Sequence, residues 1–386
     1  MGVQTSVSDR STSFMMDASR DIAYDVTQLT SHVFDTDVTA LADLVGRRPL
    51  LLAFDEVVYV LYGATIRAYL ERHLNVFKTV ILKAGEANKN FYQVERVCEA
   101  AISAGLPRNG VMIGVGGGVV LDIVGMAAAL YRRGVDFVRI PTTLLGMVDV
   151  AVGIKQAVNF GKRKNVLGTF YPPIGVLNDS TFLQTAPRRD LAGGVAEMIK
   201  IGLIADRVLF CLLEQYLERL LESSFQTPAA VAREILERSQ YAMMTQLAPN
   251  LYEDDLKRAV DFGHSFSPTL ELRSDYRLAH GEAVAIDMLL STAIAVHRGI
   301  CEQSLFERLI ALYDTAGLAI TDELCTVPLL MEALVEVKGH RGGHLNFPIP
   351  QKIGTCAFLQ HVDANDCRVA LNAVMRQPHS SVLAAS

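Results

Sequence analysis

Three consecutive glycines, Gly116 to Gly118, join a short apolar run to a longer one that has the spacing of a helix. The backbone N–H groups of such a turn can approach a diphosphate closely, and the following helix offers its positive N-terminus to the same group. A strand-to-helix turn can also need glycine only for close packing, so the motif alone is a weak signal. Its meaning depends on the segments around it.

Those segments alternate between short apolar runs and amphipathic runs. We predict strands at 49–54, 79–82, 111–115, 137–140 and 174–177, and helices at 57–72, 91–104 and 119–133. The alternation is typical of an open parallel sheet with crossover helices, and it predicts a Rossmann-like α/β domain. The first strand ends in Asp55, where a carboxylate can accept hydrogen bonds from the adenosine ribose and disfavours NADP. A helix N-cap explains Asp55 equally well.

The second half of the chain has many helix-like segments and few apolar runs of strand length. We predict helices at 190–204, 207–222, 228–245, 253–271, 279–298 and 303–316. The predicted architecture is an α/β NAD-binding domain at 21–187 followed by an all-α metal-binding domain at 188–375. The polar segments at 1–20 and 376–386 are predicted to be a flexible leader and a flexible tail.

Composition limits the partners of this chain. Hydrophobic residues make up 50% of its 386 positions, and the formal net charge of -6 argues against a nucleic-acid-binding surface. No apolar run has the length of a membrane-spanning helix. The six cysteines are scattered without a CxxC pair, which favours reduced thiols and a cytoplasmic location. A local cluster of cations near the glycines would therefore bind an anionic small molecule.

Three residues of the helical half have the chemistry of a metal site. Glu197 lies three residues before Lys200 on one predicted helix, so both side chains project from the same face. With His264 and His280, one carboxylate and two imidazoles make a common Zn²⁺ ligand set that leaves coordination positions free for substrate. Histidines in apolar helices are also frequent core residues, and Glu282 is an alternative carboxylate. The spacing leaves both questions open.

These motifs resemble the sugar phosphate cyclases, the family that contains dehydroquinate synthase. The resemblance extends from about residue 22 to residue 372, and the motifs keep the family's order with near-constant spacing. They are Gly85-Glu86 with Lys89, Gly116-Gly117-Gly118 with Asp122, Tyr131-Arg132-Arg133-Gly134, Pro141-Thr142-Thr143 through Asp149, Lys155, Lys164-Asn165, Ala196-Glu197-Met198-Ile199-Lys200, Phe262-Gly263-His264 and His280-Gly281-Glu282.

The resemblance implies a dehydroquinate synthase-like fold that holds NAD and one Zn²⁺ or Co²⁺ ion, with the metal on Glu197, His264 and His280. The implied cofactor residues are Asp55, Glu86, Lys89, Gly117, Gly118, Val119, Asp122, Thr142, Thr143, Leu145, Asp149, Lys155, Lys164, Phe182, Thr185 and Asp190. The implied catalytic or substrate-binding residues are Arg133, Asp149, Lys155, Asn165, Lys200, Lys257, Asp261, His264 and His340. In the relatives, the equivalent of Arg133 reaches the neighbouring subunit's site, which implies a homodimer.

The chemistry that the resemblance implies is a phosphate lyase reaction on a heptulose phosphate. The metal polarises a ring hydroxyl and NAD takes a hydride from that carbon, which acidifies the neighbouring C–H bond and lets phosphate leave. The hydride then returns, the ring opens, and an intramolecular aldol reaction closes a carbocycle. Lys155, Asn165 and Arg133 suit the phosphate, Arg133 as a bidentate donor.

Departures from dehydroquinate synthase predict the substrate. That enzyme's substrate carries a carboxylate besides its phosphate, whereas here Met243, Lys257, Asp261 and Pro268 replace the usual Lys, Arg, Asn and second His. Fewer cationic donors and an added acid would leave a buried carboxylate badly paired, at a cost of a few kcal/mol. Sedoheptulose 7-phosphate, which has a hydroxymethyl group in that place, fits better.

Three positions separate the branches of the family that use this sugar. They are Glu, Ala and Thr in desmethyl-4-deoxygadusol synthases and Leu, Asp and His in 2-epi-5-epi-valiolone synthases; here they are Leu247, Asp261 and His340. We therefore expect cyclisation to 2-epi-5-epi-valiolone. Synthases of 2-epi-valiolone, desmethyl-4-deoxygadusol or 3-dehydroquinate are the alternatives, followed by a metal-dependent polyol dehydrogenase. A non-catalytic binding module is disfavoured, because every metal and cofactor position holds a competent residue.

Overall fold

The computed structural model describes residues 2–8, 11–17, 21–74, 77–161, 163–340 and 342–377. Its first part contains β1 (Gly2–Ser8), β2 (Ser11–Asp17), β3 (Asp25–Gln28), α1 (Ala40–Val45), β4 (Leu50–Asp55), α2 (Glu56–His73), β5 (Phe77–Leu82), α3 (Phe91–Ser103), β6 (Val111–Gly116), α4 (Gly118–Leu130), β7 (Asp136–Pro141), β8 (Lys155–Phe160), β9 (Arg163–Phe170) and β10 (Gly175–Asn178). The second part contains α5 (Arg188–Ile204), α6 (Arg207–Glu222), α7 (Ala229–Leu247), α8 (Ser267–Arg273), α9 (His280–His297), α10 (Gln303–Ala316), α11 (Val327–His340), β11 (Phe347–Lys352), β12 (Thr355–Leu359) and α12 (Ala364–Met375).

The centre of the first part is a six-stranded sheet in the order β3-β10-β7-β6-β4-β5, and all its neighbouring strands are parallel. This confirms the predicted open parallel sheet and adds β3, which the sequence analysis does not predict. β4 and β6 are buried along their whole length, so their sequences are continuous apolar runs. Helix α4 packs on both strands and is itself almost entirely buried.

The topology of the sheet marks a place for a ligand. The chain runs from β4 to β5 on one side and then returns to β6 on the other, so the strand order reverses between β4 and β6. Their carboxyl ends, at Asp55 and Gly116, therefore border the crevice in which open α/β sheets bind ligands. The antiparallel hairpin β8–β9 packs on α4 and carries Lys155, Lys164 and Asn165.

Helices α5 and α9 are the core of the second part and are buried along almost their whole length. They meet at a pair of glycines. A Cβ atom on Gly281 would lie only 2.3 Å from the Cα atom of Gly193. The two helix backbones are therefore in direct contact, which only glycine allows at this distance.

The all-α prediction for the second part needs correction. β11 and β12 form an antiparallel hairpin that packs against α5, and the sequence analysis also misses α11 and α12. Residues 253–271, predicted as one helix, form a loop, a 3₁₀ turn at Ala259–Asp261 and the start of α8. Gly263 has a left-handed φ of 79°, and the ring of Pro268 prevents a helix from continuing through it from the preceding turn. A continuous helix cannot pass these two residues.

The flexibility predicted for residues 1–20 and 376–386 stays a prediction. Residues 1–20 contain β1 and β2, which pair as an antiparallel hairpin. Of the predicted tail at 376–386, residues 378–386 lie outside the described residues. Within the described ranges, none of the helices combines the length and apolarity needed to cross a membrane.

Candidate active site

A cavity of about 580 Å³ lies between the sheet, the hairpin β8–β9 and the helical part. Its volume is in the range of small-molecule sites. Of the residues predicted for cofactor and catalysis, those that line it are Glu86, Lys89, Gly118, Val119, Asp122, Leu145, Asp149, Lys155, Lys164, Asn165, Lys200, Asp261, His264 and His280. The fold thus brings most of the predicted residues into one enclosure.

The glycine turn is packed too closely for other residues. A Cβ atom on Gly116 would lie 2.9 Å from the Cβ of Val120 and 3.0 Å from the Cβ of Asp55. One on Gly118 would lie 3.0 Å from a methyl group of Val150. Close packing and ligand access therefore both apply, because the N-terminus of α4 also faces the cavity. An anionic group such as a diphosphate fits this backbone cradle.

Asp55 and two threonines surround this turn. The carboxylate of Asp55 accepts a 2.8 Å hydrogen bond from the N–H two residues later, which confirms the N-cap interpretation, and burial raises its pKa. The N–H of Thr142 donates to the carbonyl of Gly116 at 3.0 Å. A Cβ atom on Gly117 would lie 3.2 Å from the methyl group of Thr143. These contacts hold the turn in place beside the cavity.

Phe182, Thr185 and Asp190 do not line the cavity. Phe182 is buried, with its ring centroid 5.1 Å from that of Tyr62. The hydroxyls of Thr185 and Tyr62 share a hydrogen bond of 2.9 Å. Asp190 is exposed in the first turn of α5, where its carboxylate complements the helix N-terminus. Their role in cofactor binding stays a prediction.

Lys89 is the centre of a buried polar cluster between α4 and the hairpin β8–β9. Its ammonium lies 2.6 Å from a carboxylate oxygen of Asp122 and donates to Asn165 Oδ1 at 2.8 Å. Burial lowers the pKa of Lys89, but the carboxylates of Asp122, Glu86 and Glu271 together more than offset this and raise it above its ordinary value. Asn165 has a left-handed φ of 51° near the start of β9. Its neighbour Lys164 forms an ion pair with Glu271 of α8.

Glu197, His264 and His280 come together in one cluster, and the two histidines line the cavity. One ligand atom of each lies within 4.8 Å of the other two. Glu197 Oε1 is 3.4 Å from His280 Nε2 and 3.9 Å from His264 Nε2. Glu197 is only 1% exposed, and neither of its carboxylate oxygens has a hydrogen bond of ordinary geometry within the described part of the chain. Such a carboxylate, facing two imidazole nitrogens, fits a divalent cation such as Zn²⁺.

The glycine contact between α5 and α9 sets this geometry. Glu197 lies one turn after the contacting glycine of α5, and His280 directly precedes Gly281 at the start of α9. Glu282, the alternative carboxylate, has other hydrogen-bond partners. It accepts hydrogen bonds of 2.6 and 2.7 Å from Arg189 and caps the N-terminus of α9. Glu197 is therefore the carboxylate that the fold brings to the histidines.

Neighbouring acceptors orient both imidazoles. His264 Nδ1 lies 3.2 Å from the carbonyl oxygen of Phe262, and His280 Nδ1 lies 2.8 Å from Glu271 Oε1. A proton on each Nδ1 leaves Nε2 to bind a metal. Burial lowers the pKa of His264 to about 3, so this imidazole is neutral, as a ligand must be. Burial also lowers the pKa of His280, but the carboxylates of Glu271 and Glu197 together more than offset this and raise it to about 9.

Lys200 and Asp149 add opposite charges beside the triad. Lys200 is buried and its ammonium forms an ion pair with Glu197. Burial lowers its pKa, but the Glu197 and Asp149 carboxylates more than offset this and raise it. Burial raises the pKa of Asp149, and Lys200 offsets only part of the effect. Asp149 stands in a π-helical turn at Gly146–Val150, a feature that is frequent at functional sites.

A buried arginine supports the turn between Asp149 and Lys155. Arg139 of β7 is fully buried and donates to the carbonyl oxygens of Val150, Gly153 and Lys155 at 3.1, 2.5 and 3.1 Å. These bonds satisfy carbonyl groups that the irregular turn leaves without backbone partners. Arg139 thereby fixes the segment that brings Asp149 and Lys155 to the cavity.

Four charged side chains are linked along another wall of the cavity. Lys155 Nζ lies 2.8 Å from Glu253 Oε1, and the same oxygen lies 2.8 Å from Arg258 Nη1. That Arg258 nitrogen lies 3.2 Å from Asp261 Oδ1. All four residues line the cavity. Positive and negative groups therefore alternate, and each positive group has a negative neighbour.

Two predicted catalytic residues, Lys257 and Arg133, do not line this cavity, and the structure does not describe the side chain of a third. Lys257 is exposed, with its ammonium 5.0 Å from the ring centroid of Phe358, and the cation that faces the cavity is the next residue, Arg258. Arg133 is exposed, on a backbone with a left-handed φ of 64°. His340 is the last residue of α11, and its side chain lies outside the described part of the structure.

Four residues of the site are missing from the sequence prediction: Arg139, Glu253, Arg258 and Glu271. Only Glu271 has a sequence signal, because it lies nine residues before His280 and ligating histidines usually have a carboxylate partner. Glu253 and Arg258 were concealed by the predicted helix over 253–271. Arg139 looked like an ordinary strand residue, because its partners are backbone carbonyls.

A cavity that has a glycine turn on one wall and two histidines of a metal triad on another defines a class of two-domain proteins in which a nucleotide site and a metal site face each other. The chain matches the family profiles described as 3-dehydroquinate synthase N-terminal, over residues 79–193, and 3-dehydroquinate synthase C-terminal, over residues 194–339. It belongs to the 3-dehydroquinate synthase family.

Individual relatives are similar over most of this length. The chain is 40% identical over 367 residues to a 2-epi-5-epi-valiolone synthase of Actinoplanes sp., which covers 93% of this chain and 92% of the relative. It is 41% identical over 352 residues to a protein of the same name from Actinomyces sp, with coverage of 89% and 92%. The solved structure of ValA, a 2-epi-5-epi-valiolone synthase from Streptomyces hygroscopicus subsp. jinggangensis 5008 with NAD+ and Zn2+ bound, aligns with a TM-score of 0.89 and 38% identity, over 94% of this chain and 99% of that chain. The predicted dehydroquinate synthase-like fold is confirmed, and only the hairpin β11–β12 departs from the prediction of an all-α second part.

Proposed function

We propose that this protein is a sugar phosphate cyclase, a carbon–oxygen lyase that converts sedoheptulose 7-phosphate to 2-epi-5-epi-valiolone and releases phosphate. The observation that carries the proposal is one cavity lined by Gly118 of the glycine turn and by His264 and His280. The buried carboxylate of Glu197 lies 3.4 Å from His280 Nε2 and 3.9 Å from His264 Nε2 and completes the triad. Similarity to 2-epi-5-epi-valiolone synthases over more than nine tenths of the chain supports it.

The proposed cofactors are NAD and one divalent ion, Zn²⁺ or Co²⁺. The triad would hold the ion, which acts as a Lewis acid on a substrate hydroxyl. The turn at Gly117 and Gly118 would hold NAD, which accepts a hydride and returns it. The residues present fit both groups. Glu197 offers the ion a buried carboxylate without ordinary hydrogen bonds, and the glycine turn, which has no room for side chains, offers NAD its backbone N–H groups.

The charged residues of the cavity fit the other needs of the reaction. A phosphate group needs donors, and the side chain of Lys155 is 56% exposed, whereas those of Lys89 and Lys164 are only 9% and 16% exposed. Lys200 and Asp149 are buried beside the triad with shifted pKa values, as is typical of groups that exchange protons with a substrate. We propose that they accept the proton that the substrate hydroxyl loses when it is oxidised.

The apolar lining favours a substrate with a single anionic group. Met243 and Leu247 line the cavity, so this wall offers no charged donor from either position. Asp261 adds a carboxylate on the same cavity, and a carboxylated substrate would meet repulsion there. We propose that Asp261 and His340 bind hydroxyl groups of the open-chain sugar and so select the face on which the ring closes.

The test is incubation of the Zn²⁺- and NAD-loaded protein with sedoheptulose 7-phosphate, with NMR identification of the cyclitol and measurement of released phosphate. We expect 2-epi-5-epi-valiolone, phosphate in equal amount and no net NADH, and we expect no product from His264→Ala. If NMR identifies a different cyclitol from this sugar, the proposed product is wrong and the cyclitol that is found takes its place. Turnover of only the carboxylated C7 sugar phosphate, or NADH accumulation from a polyol without phosphate release, would overturn the proposal.

We further propose that the enzyme is a cytoplasmic homodimer in which Arg133 reaches the partner's cavity. Arg132 and Arg133 both have left-handed backbones, with φ of 50° and 64°, and both are exposed. Arg133 does not line the cavity of its own chain. A cation presented at the surface in this way can serve a phosphate bound by a second copy.

A further inference from the structure

Glu253 has contacts that the proposed reaction does not explain. It is an acid on the wall of a cavity that must accept a phosphate. Its Oε1 lies 2.8 Å from both Lys155 Nζ and Arg258 Nη1. The residue has a left-handed φ of 61° in the loop that follows α7. The chain therefore accepts an unfavourable backbone conformation at the residue whose carboxylate lies between two cations.

Every Lys or Arg that lines the cavity in the described part of the chain contacts a carboxylate. The pairs are Lys89–Asp122, Lys155–Glu253, Arg258–Glu253, Lys164–Glu271 and Lys200–Glu197. With Asp261, which also contacts Arg258, these are five cations and five carboxylates, so the paired groups carry no net positive charge. A substrate anion can therefore bind one of these five cations only by taking it from a protein carboxylate.

The two cations on Glu253 differ in how easily they can change partner. The Lys155 side chain is 56% exposed and touches Glu253, so it can exchange this carboxylate for a phosphate oxygen. Arg258 is 11% exposed, and one of its nitrogens lies between Glu253 and Asp261 at 2.8 and 3.2 Å. A carboxylate on the substrate would have to displace one of these acids or stay unpaired beside them, and both cost affinity.

We propose that Glu253 is a specificity-determining residue that, with Asp261, neutralises Arg258 and so excludes substrates that carry a carboxylate besides their phosphate. The inference rests on the proposed function and names a source of its preference for a sugar with a hydroxymethyl group. Removal of the charge at position 253 leaves Arg258 with one acid partner. A substrate carboxylate then has a cation to bind.

Glu253→Gln tests this in the Zn²⁺- and NAD-loaded protein. Asp254→Asn is the matched control, because it removes the same charge from the next residue, which is exposed and does not line the cavity. The measurement is kcat/KM for sedoheptulose 7-phosphate and for the carboxylated C7 sugar phosphate. Glu253→Gln should shift the ratio toward the carboxylated substrate roughly tenfold, the effect of one charged hydrogen bond. Asp254→Asn should leave it within about twofold.

A binding assay separates this inference from the proposed function. Glycerol 3-phosphate and 3-phosphoglycerate differ by the same change from hydroxymethyl to carboxylate, and calorimetry on the loaded protein gives their Kd values. Glu253→Gln should lower the Kd of 3-phosphoglycerate relative to that of glycerol 3-phosphate. The variant also releases Lys155 from Glu253, which should raise the affinity for the phosphate group. Because both ligands carry a phosphate, this effect cancels in the ratio of the two Kd values. The double variant Glu253→Gln/Arg258→Gln should lose the gain.

The outcomes are distinguishable. If sedoheptulose 7-phosphate is not turned over but the ratio of Kd values changes as stated, the proposed function fails and the role of Glu253 stands. If the sugar is turned over and Glu253→Gln changes neither ratio, the role of Glu253 is refuted alone. A gain that persists without Arg258 also refutes it. Urea unfolding of each variant verifies that it is folded before these comparisons.

Discussion

Replacing Gly281 by alanine tests whether the contact between α5 and α9 builds the metal site. The added Cβ atom would lie 2.3 Å from the Cα atom of Gly193 and 2.4 Å from its carbonyl oxygen. Non-bonded carbon atoms prefer a separation of about 3.5 Å or more, so the helices must move apart locally by about 1 Å. Glu197 Oε1 and His280 Nε2, now 3.4 Å apart, are carried by these two helices and would separate with them.

The expected losses follow from that displacement. Metal sites hold their ligand distances to about 0.2 Å, so we expect Zn²⁺ affinity to fall by at least the roughly tenfold to hundredfold loss seen when ligand support is removed. Overpacking should also lower the free energy of unfolding by about 1–3 kcal/mol. Gly63→Ala in α2 is the control, because its Cβ atom would meet nothing closer than 3.7 Å. It should leave stability unchanged or raise it by up to about 1 kcal/mol.

Two measurements decide the outcome. Competition with a chromogenic chelator gives Zn²⁺ affinity, and urea unfolding of the metal-free protein gives stability. Gly281→Ala should lower both, and Gly63→Ala should lower neither. If Gly281→Ala loses stability but binds Zn²⁺ as tightly as the wild type, the contact between the helices does not set the ligand geometry and the reasoning is wrong.

Three further predictions concern residues around the triad. Glu271→Gln should weaken Zn²⁺ binding about tenfold to hundredfold in chelator competition, because His280 loses its charged partner; unchanged affinity would contradict the orienting role. Arg133→Ala and His264→Ala proteins should be inactive separately but regain activity when mixed, since a hybrid dimer has one complete site; no recovery after verified subunit exchange argues against a shared site. Burial raises the pKa of Asp287 from 3.8 to about 6, so the folded state holds its proton longer than the unfolded state. The free energy of unfolding should therefore fall as pH rises through this window, by at most about 3 kcal/mol, and in urea titrations Asp287→Asn should lack this part of the slope.

The sheet could be predicted from sequence because a strand buried on both faces is a continuous apolar run, as in β4 and β6. β3 could not, because this edge strand has four residues that alternate between exposed and half-buried. The helix predicted over residues 253–271 is wrong for a different reason. Asp287 of α9 accepts hydrogen bonds from the N–H groups of Ser265, Phe266 and Ser267 at 2.7, 2.5 and 2.9 Å. These N–H groups bond to a carboxylate about twenty residues away in sequence and not to the carbonyl groups of a helix. A local sequence pattern cannot reveal such bonds.

The metal ligands could be predicted because the chemistry of a residue is local, whereas the groups that support them depend on tertiary structure. Family spacing placed a cation at Lys257, yet the loop turns the neighbouring Arg258 into the cavity and leaves Lys257 at the surface. Which of two adjacent cations faces inward depends on the backbone of a loop. Arg139 is a similar case, since three carbonyl partners on an irregular turn leave no trace in the sequence.

The ion pair between Lys164 and Glu271 joins two halves of the site that the chain encodes far apart. Lys164 belongs to the hairpin of the nucleotide half, while Glu271 holds the imidazole of His280 in the metal half. A ligand that immobilises one partner therefore helps to immobilise the other, and thermodynamic linkage makes this help mutual. The factor by which the bound ion raises the affinity for the dinucleotide equals the factor by which the bound dinucleotide raises the affinity for the ion. A coenzyme retained in this way would stay through a whole catalytic cycle and not escape while reduced.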